Sequence, residues 1–231
     1  MLFPLRDKAP HPLFPWVNTL LIGLNSAVFL YEWSLPRTIL VHRLIPALGL
    51  SGTPYLAWFH GAPVPPAALI VPIFTSMFLH GSWLHLLGNM WMLYLFGDNV
   101  EALFGHFGYL LFYLFCGVIA GITQLALTLH TAVPMIGASG AIAGVMGAYL
   151  IHFPRARVTT LVFLILFFFL WDLPAWAILG YWFLIQFVSG LGSLAFNQLR
   201  APGGIAFFAH VGGFLTGMLL GRGRRPLSDA N

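Results

Sequence analysis

Long apolar runs, separated by short polar or proline-rich intervals, dominate the hydropathy pattern of this 231-residue chain. A helix needs about 20 residues to cross the hydrocarbon core of a bilayer, with a range of roughly 17 to 25. Six segments approach that length: Trp16–Tyr31, Leu84–Phe96, Phe107–Leu129, Ile136–Ile151, Pro174–Leu191 and Ala206–Leu220. The interval 34–72 cannot be one helix, because Pro36, Pro46, Pro54, Pro63, Pro65 and Pro66 remove backbone donors along it. Trp33, Tyr55, Trp58 and Phe59 are of the types that favour a headgroup interface, so this loop is expected partly in the outer leaflet surface.

Val158–Leu170 is the ambiguous stretch, short, apolar and rich in β-branched and aromatic residues. Pro174–Leu191 is long enough to cross, so Val158–Leu170 is assigned as a re-entrant or interfacial segment on the cytoplasmic side. The expected fold is an all-α polytopic membrane protein of six transmembrane helices in one domain, 1–231. Residues 1–15 and 222–231 form cytoplasmic tails, and 34–72 is an outer-face loop.

Composition supports the membrane class. Hydrophobic residues make up 59% of the chain and charged residues only 7%, against about 25% charged in soluble domains. Cys116 is the single cysteine and lies in an apolar run, which excludes a disulfide framework and a cysteine-rich metal site. The apolar run from Trp16 has no small-residue cleavage site and reads as a retained first helix rather than a secretory signal.

The net charge of +4 does not mark a nucleic-acid binder, because the basic residues are scattered through short loops. Arg6, Lys8, Arg155, Arg157, Arg222, Arg224 and Arg225 fall on one side of the expected topology, and Arg37, Arg43 and Arg200 on the other. The positive-inside rule then puts both termini in the cytoplasm. With no additional N-terminal helix or targeting presequence, the layout is expected to be that of a bacterial plasma-membrane protein.

Against this background a few polar residues stand out. Ser139 sits in Gly137-Ala138-Ser139-Gly140, inside a stretch from Ala102 to Pro154 without Asp, Glu, Lys or Arg. Serine is common in membrane helices as a packing residue. His80, His85, Asn89 and His210, however, are groups that hydrocarbon penalises, and they stand at the starts of other apolar runs. The parity of crossings puts Ser139 and His210 at the same outer side. Gly140, Gly144 and Ala148 on one span and Gly213, Gly217 and Gly221 on another repeat every four residues, which permits close backbone approach between the two helices.

A hydrolase needs a nucleophile, a base and oxyanion donors. Ser139 and His210 are the candidate nucleophile and base. No acidic residue is placed to orient the imidazole, so a dyad is expected. His85 and Asn89 share one helical face and, with the backbone N–H of Ser139, are candidate oxyanion donors. On helical geometry His80 faces elsewhere and ties down the long loop. Two other functions also fit polar residues in a bilayer: a small transporter, disfavoured by the lack of an inverted repeat, and a metal site on His80, His85 and His210, disfavoured by their spacing.

His80, His85 and Asn89, then Gly-Ala-Ser139-Gly, then Ala-His210-Val-Gly-Gly, resemble in order and spacing the rhomboid family of intramembrane serine proteases. The resemblance runs from about Pro72 to Gly221. It implies a six-helix core around a water-accessible cavity, a Ser139 nucleophile, a His210 base, His85 and Asn89 as oxyanion donors and a mainly structural His80. It implies transmembrane protein substrates within the lipid bilayer, no cofactor, no metal and no nucleic acid, and leaves the oligomeric state open. A catalytically inactive relative that binds membrane helices is the alternative. Some family members stack an aromatic ring on the base from one turn after the nucleophile, where this chain has Ala143. The family's tryptophan-arginine pair in the first loop is also not visible beside Arg37 or Arg43.

Overall fold

A computed structural model describes residues 2–9, 14–164, 167–195 and 206–223. Arg200, Arg224 and Arg225, which enter the assignment of sides, lie outside the described residues. The chain is mostly helical. A strand β1 (Leu2–Asp7) leads to helix α1 (Trp16–Ser34). The 34–72 interval breaks into α2 (Arg37–Ile39), a π-helical turn (Leu40–Leu44), α3 (Ile45–Leu48), α4 (Thr53–Phe59) and α5 (Pro66–Thr75). Proline explains the fragmentation: Pro54 and Pro66 sit in the first turns of α4 and α5, where a missing N–H costs nothing.

Four long helices follow, broken once by a hairpin: α6 (Trp83–Phe104), α7 (His106–Thr128), α8 (Ser139–His152), strands β2 (Arg157–Leu164) and β3 (Phe167–Pro174), and α9 (Ala175–Ala195). The last helix is α10 (Phe207–Gly221). Among the described residues, each of the six expected spans therefore holds a helix. Length and composition alone qualify fewer of them as crossings: His106–Thr128 and Ala175–Leu194, and a third if Pro66–Phe78 and Trp83–Phe104, bent by 79°, are one broken span. The physical reason is length and polarity. At 1.5 Å per residue the 14 residues of α8 reach only about 21 Å, short of a core of about 30 Å. Helix α1 carries Asn18, Asn25 and Glu32, all buried.

The expectation of an all-α protein is corrected by the sheet. Strand β2 pairs antiparallel with β3 from Arg157↔Pro174 to Leu164↔Phe167, and β1 pairs antiparallel with β2 from Leu2↔Val162 to Asp7↔Val158. Within the stretch expected to be re-entrant or interfacial, residues 158–164 and 167–170 are antiparallel β-strand rather than helix. Val158, Thr159, Thr160 and Val162 are types that suit a pleated sheet. The partner strand comes from the far N-terminus and contains Pro4, tolerated because β1 is an edge strand.

The sheet is fastened to the helices by polar contacts. Tyr149 donates its hydroxyl to Asp7 (2.6 Å), Asn99 donates to the same carboxylate (2.8 Å), and Trp91 donates to the Pro4 carbonyl (2.8 Å). Across the sheet Asp172 accepts from Lys8 (2.6 Å) and Thr159 (2.7 Å), and these bonds hold its exposed carboxyl below the usual carboxylate range.

Glu101 organises the start of α1. Its fully buried carboxylate accepts the backbone N–H groups of Val17 (2.9 Å) and Asn18 (2.7 Å), two donors that a helix's first turn leaves unpaired. Asn18 in turn accepts from Tyr109 and donates to the Leu93 carbonyl, joining α1 to α6 and α7.

At the centre, α8 is buried from Gly140 to Tyr149 and packs closely on α10. A Cβ on Gly217 would overlap the Gly144 carbonyl, and one on Gly213 the Gly140 carbonyl. Glycine on both helices is what lets the backbones touch. The outer surfaces of α1, α7 and α9 are apolar, with Leu20, Phe107, Phe115, Leu184 and Val188 exposed.

Candidate active site

Three helices begin at one end of the bundle and bring their first turns together. Helix α6 starts at Trp83 behind Ser82, whose hydroxyl accepts the His85 N–H (3.2 Å) as an N-cap. That turn carries His85 and, one turn on, the buried Asn89. Helix α8 starts at Ser139 itself, so the N–H of that residue has no partner within its own helix. Helix α10 starts at Phe207. Gln124 of α7 caps it by accepting from Phe208 N and Ala209 N, each at 3.1 Å, which aims His210 at α8.

His210 Nε2 lies 2.7 Å from Ser139 Oγ. The contact is long-range in sequence and follows from the glycine-mediated approach of α8 and α10 one turn below it. Ser139, His210, His85 and Asn89 line one cavity of about 1030 Å³, together with Gln124 and Ser193. At about 30 Å³ per molecule in the liquid, that volume holds tens of waters.

The loop before α8 fits beneath His85. Gly137 has φ +127° and donates its N–H to the Ser76 carbonyl (2.8 Å). A Cβ there would sit 2.7 Å from His85 Nε2, so the residue must be glycine for both conformation and space. Gly140 faces Ala120 and the start of α10.

His80 departs from its expected place. It precedes α6 rather than belonging to it, so helical spacing does not apply. Asn89 Nδ2 donates to His80 Nε2 (3.0 Å), and the His80 and His85 rings are 5.1 Å apart. The Glu32 carboxylate of α1 accepts the His80 N–H (3.1 Å). His80 therefore converges on the same cluster, and one of the two N–H groups of the Asn89 amide is spent on holding it.

Two residues that sequence reasoning missed contact the candidate base. Gln186 Oε1 lies 2.7 Å from His210 Nδ1, and the Trp182 ring lies 5.5 Å from the imidazole, inclined at 40°. Both belong to α9, one turn apart. A lone amide in an otherwise apolar span was the available signal; a search for an acidic partner passes over it. Trp182 supplies from α9 the aromatic neighbour that Ala143 does not. Among the described residues, no group of three or more His, Cys, Asp and Glu is arranged to hold a metal ion.

The fold and site define a helical, apolar-surfaced protein with a serine-histidine contact on the wall of a cavity. Residues 69–226 match the Rhomboid domain, and the chain belongs to the rhomboid family.

Among curated relatives, it is 27% identical over 208 residues to "Rhomboid protein 1, mitochondrial" of Saccharomyces cerevisiae, covering 87% of this chain and 51% of that one. It is 29% identical over 223 residues to "Presenilin-associated rhomboid-like protein, mitochondrial" of Rattus norvegicus, covering 90% and 50%. A shorter match, 44% over 70 residues, is to "Rhomboid-like protein 11, chloroplastic" of Arabidopsis thaliana, covering 30% and 25%. The chain thus spans between a quarter and about half the length of these relatives. They also correct one expectation: their named locations are mitochondrial and chloroplastic, which points to an organellar membrane instead of a bacterial plasma membrane.

Proposed function

We propose that this chain is an intramembrane serine endopeptidase that cleaves transmembrane segments of other proteins. The observation that carries the reading is the 2.7 Å contact between Ser139 Oγ and His210 Nε2 on the wall of a cavity large enough for water and a peptide backbone. Six helices form the membrane-embedded core. Because α8 and α10 are short, Ser139 and His210 lie within the thickness of the bilayer, and the cavity above them brings water down to the bond.

His210 Nε2 takes the proton of Ser139 as Oγ attacks the scissile carbonyl carbon. The oxyanion that forms is held by His85, the second N–H of the Asn89 amide and the Ser139 N–H, the last reinforced by the positive end of α8. His210 then protonates the leaving amine, and water releases the acyl group by the same steps in reverse roles. The 34–72 interval, with its interfacial aromatics, lies at the mouth of the cavity, in the outer leaflet of an organellar membrane.

Cleavage of a reporter transmembrane helix by the purified protein in detergent tests this function. Ser139→Ala and His210→Ala should each abolish cleavage and labelling by a fluorophosphonate while leaving the protein folded. Undiminished cleavage by Ser139→Ala would overturn the assignment. A wild-type protein that binds the reporter helix without cutting it would instead be a catalytically inactive membrane-protein binder.

A further inference from the structure

We propose that Gln186 is the positioning residue of the base, fixing through its side-chain carbonyl the imidazole tautomer that can receive the Ser139 proton. The inference rests on the reading of Ser139 and His210 as nucleophile and base. It begins from the acceptor chemistry of an amide oxygen. Gln186 Oε1, 2.7 Å from His210 Nδ1, can only accept, so the proton of the neutral ring resides on Nδ1. Nε2 is then bare and faces Ser139 Oγ at 2.7 Å, so the serine hydroxyl donates to it. The three groups form one directed chain, from Ser139 O–H to Nε2 and from Nδ1–H to the amide oxygen.

The bond to Gln186 survives when the ring becomes an imidazolium, because Nδ1 keeps its hydrogen in both states. The ring is thus held at the same orientation before and after proton transfer. Trp182, one turn earlier on α9, limits tilt from its side, so one helix supplies both contacts.

A carboxylate in this place would add charge stabilisation to the imidazolium; an amide does not. The groups facing His210 are Ser139 from α8, Gln124 from α7, Trp182 and Gln186 from α9 and, across the cavity from α6, His85. Among the described residues no carboxylate faces it, so a glutamate at position 186 would bring a negative charge to the ring. Its conjugate imidazolium would then persist to higher pH.

The test uses the full chain in detergent, with fluorophosphonate labelling and reporter-helix cleavage measured across the pH range for wild type, Gln186→Met and Gln186→Glu. Methionine keeps the length and removes the acceptor. Its labelling rate and kcat should fall at least about tenfold with KM unchanged, part of the roughly 10²–10⁴-fold that a positioned base contributes. Glutamate, an acceptor that cannot donate when ionised, should recover most of that loss and move the acidic limb of the kcat/KM profile to higher pH.

Labelling of Gln186→Met at the wild-type rate would overturn the positioning role while leaving Ser139 and His210 in place. A Gln186→Glu protein as slow as Gln186→Met would overturn it as well, since the amide would then act as a donor. If Gln186→Met unfolds at lower temperature than wild type, the Gln186→Glu profile carries the test alone. A wild type that is not labelled, or labelling that survives in Ser139→Ala, overturns the underlying nucleophile assignment instead.

Discussion

Gly137 shows how much a single residue carries at this site. Its φ of +127° lies in a region that L side chains rarely adopt, and the space where a Cβ would go is taken by His85. Gly137→Ala should therefore act twice, through backbone strain of about 1–3 kcal/mol and through displacement of the His85 ring. The expected result is a protein that unfolds at a lower temperature and labels with fluorophosphonate at least about tenfold more slowly, the lower end of what one lost oxyanion donor costs being about a hundredfold. Wild-type labelling by Gly137→Ala would mean that His85 has no part in the chemistry. Asn89 illustrates the complementary point, since one N–H steadies His80 and the other is directed by that bond.

At the scale of elements, the contact that matters is α8 against α10. Their approach depends on Gly144 and Gly217 meeting backbone to backbone, and the Ser139 to His210 distance is set one to two turns away. Gly217→Leu inserts a side chain where the Gly144 carbonyl already is. Overpacking of this kind costs about 1–3 kcal/mol, and here it also levers the two helix starts apart. Loss of labelling together with a lowered unfolding midpoint is expected. Full activity in Gly217→Leu would show that the helix contact does not set the site.

The remaining elements hold this pair in place: Gln124 caps α10, Glu101 caps α1, and the sheet ties the N-terminus to α6 and α8 through Asp7. Helix α9 is longer and more exposed than α8, yet it contributes both Gln186 and Trp182.

At the scale of the molecule, an apolar exterior surrounds a cavity in which His85, Asn89, Gln124, Ser139 and His210 stand among apolar lining residues. Water must reach the cavity for hydrolysis to occur, while the core stays dry. Thr131 lines the cavity and Cys116 is fully buried in α7. In sealed proteoliposomes, Thr131→Cys should react with a hydrophilic maleimide, whereas Cys116 should stay unmodified until the protein is unfolded. An unreactive Thr131→Cys would mean that the cavity is closed to water and would count against the proposed hydrolysis.

Much of this was legible in the chain. Six apolar runs mark where the long helices form, because backbone groups in an apolar setting must be paired within the segment. The glycine repeats mark the two helices that touch, and the spacing of His85, Asn89, Ser139 and His210 marks the polar groups that share a cavity.

Other features needed the tertiary structure. The β-hairpin looked like an ambiguous apolar stretch, because its pairing partner Leu2–Asp7 lies more than 150 residues away and β-pairing is decided by neighbours rather than by local periodicity. Helical spacing does not give the place of His80, because Ser82 caps α6 after it and His80 lies outside the helix. Gln186 escaped notice because nothing in a sequence says which side of an apolar helix faces an imidazole. Local pattern determines which segments are helical and apolar. Only packing determines which face of α9 meets His210, and there a neutral amide, made specific by one hydrogen bond, stands where an acid was sought.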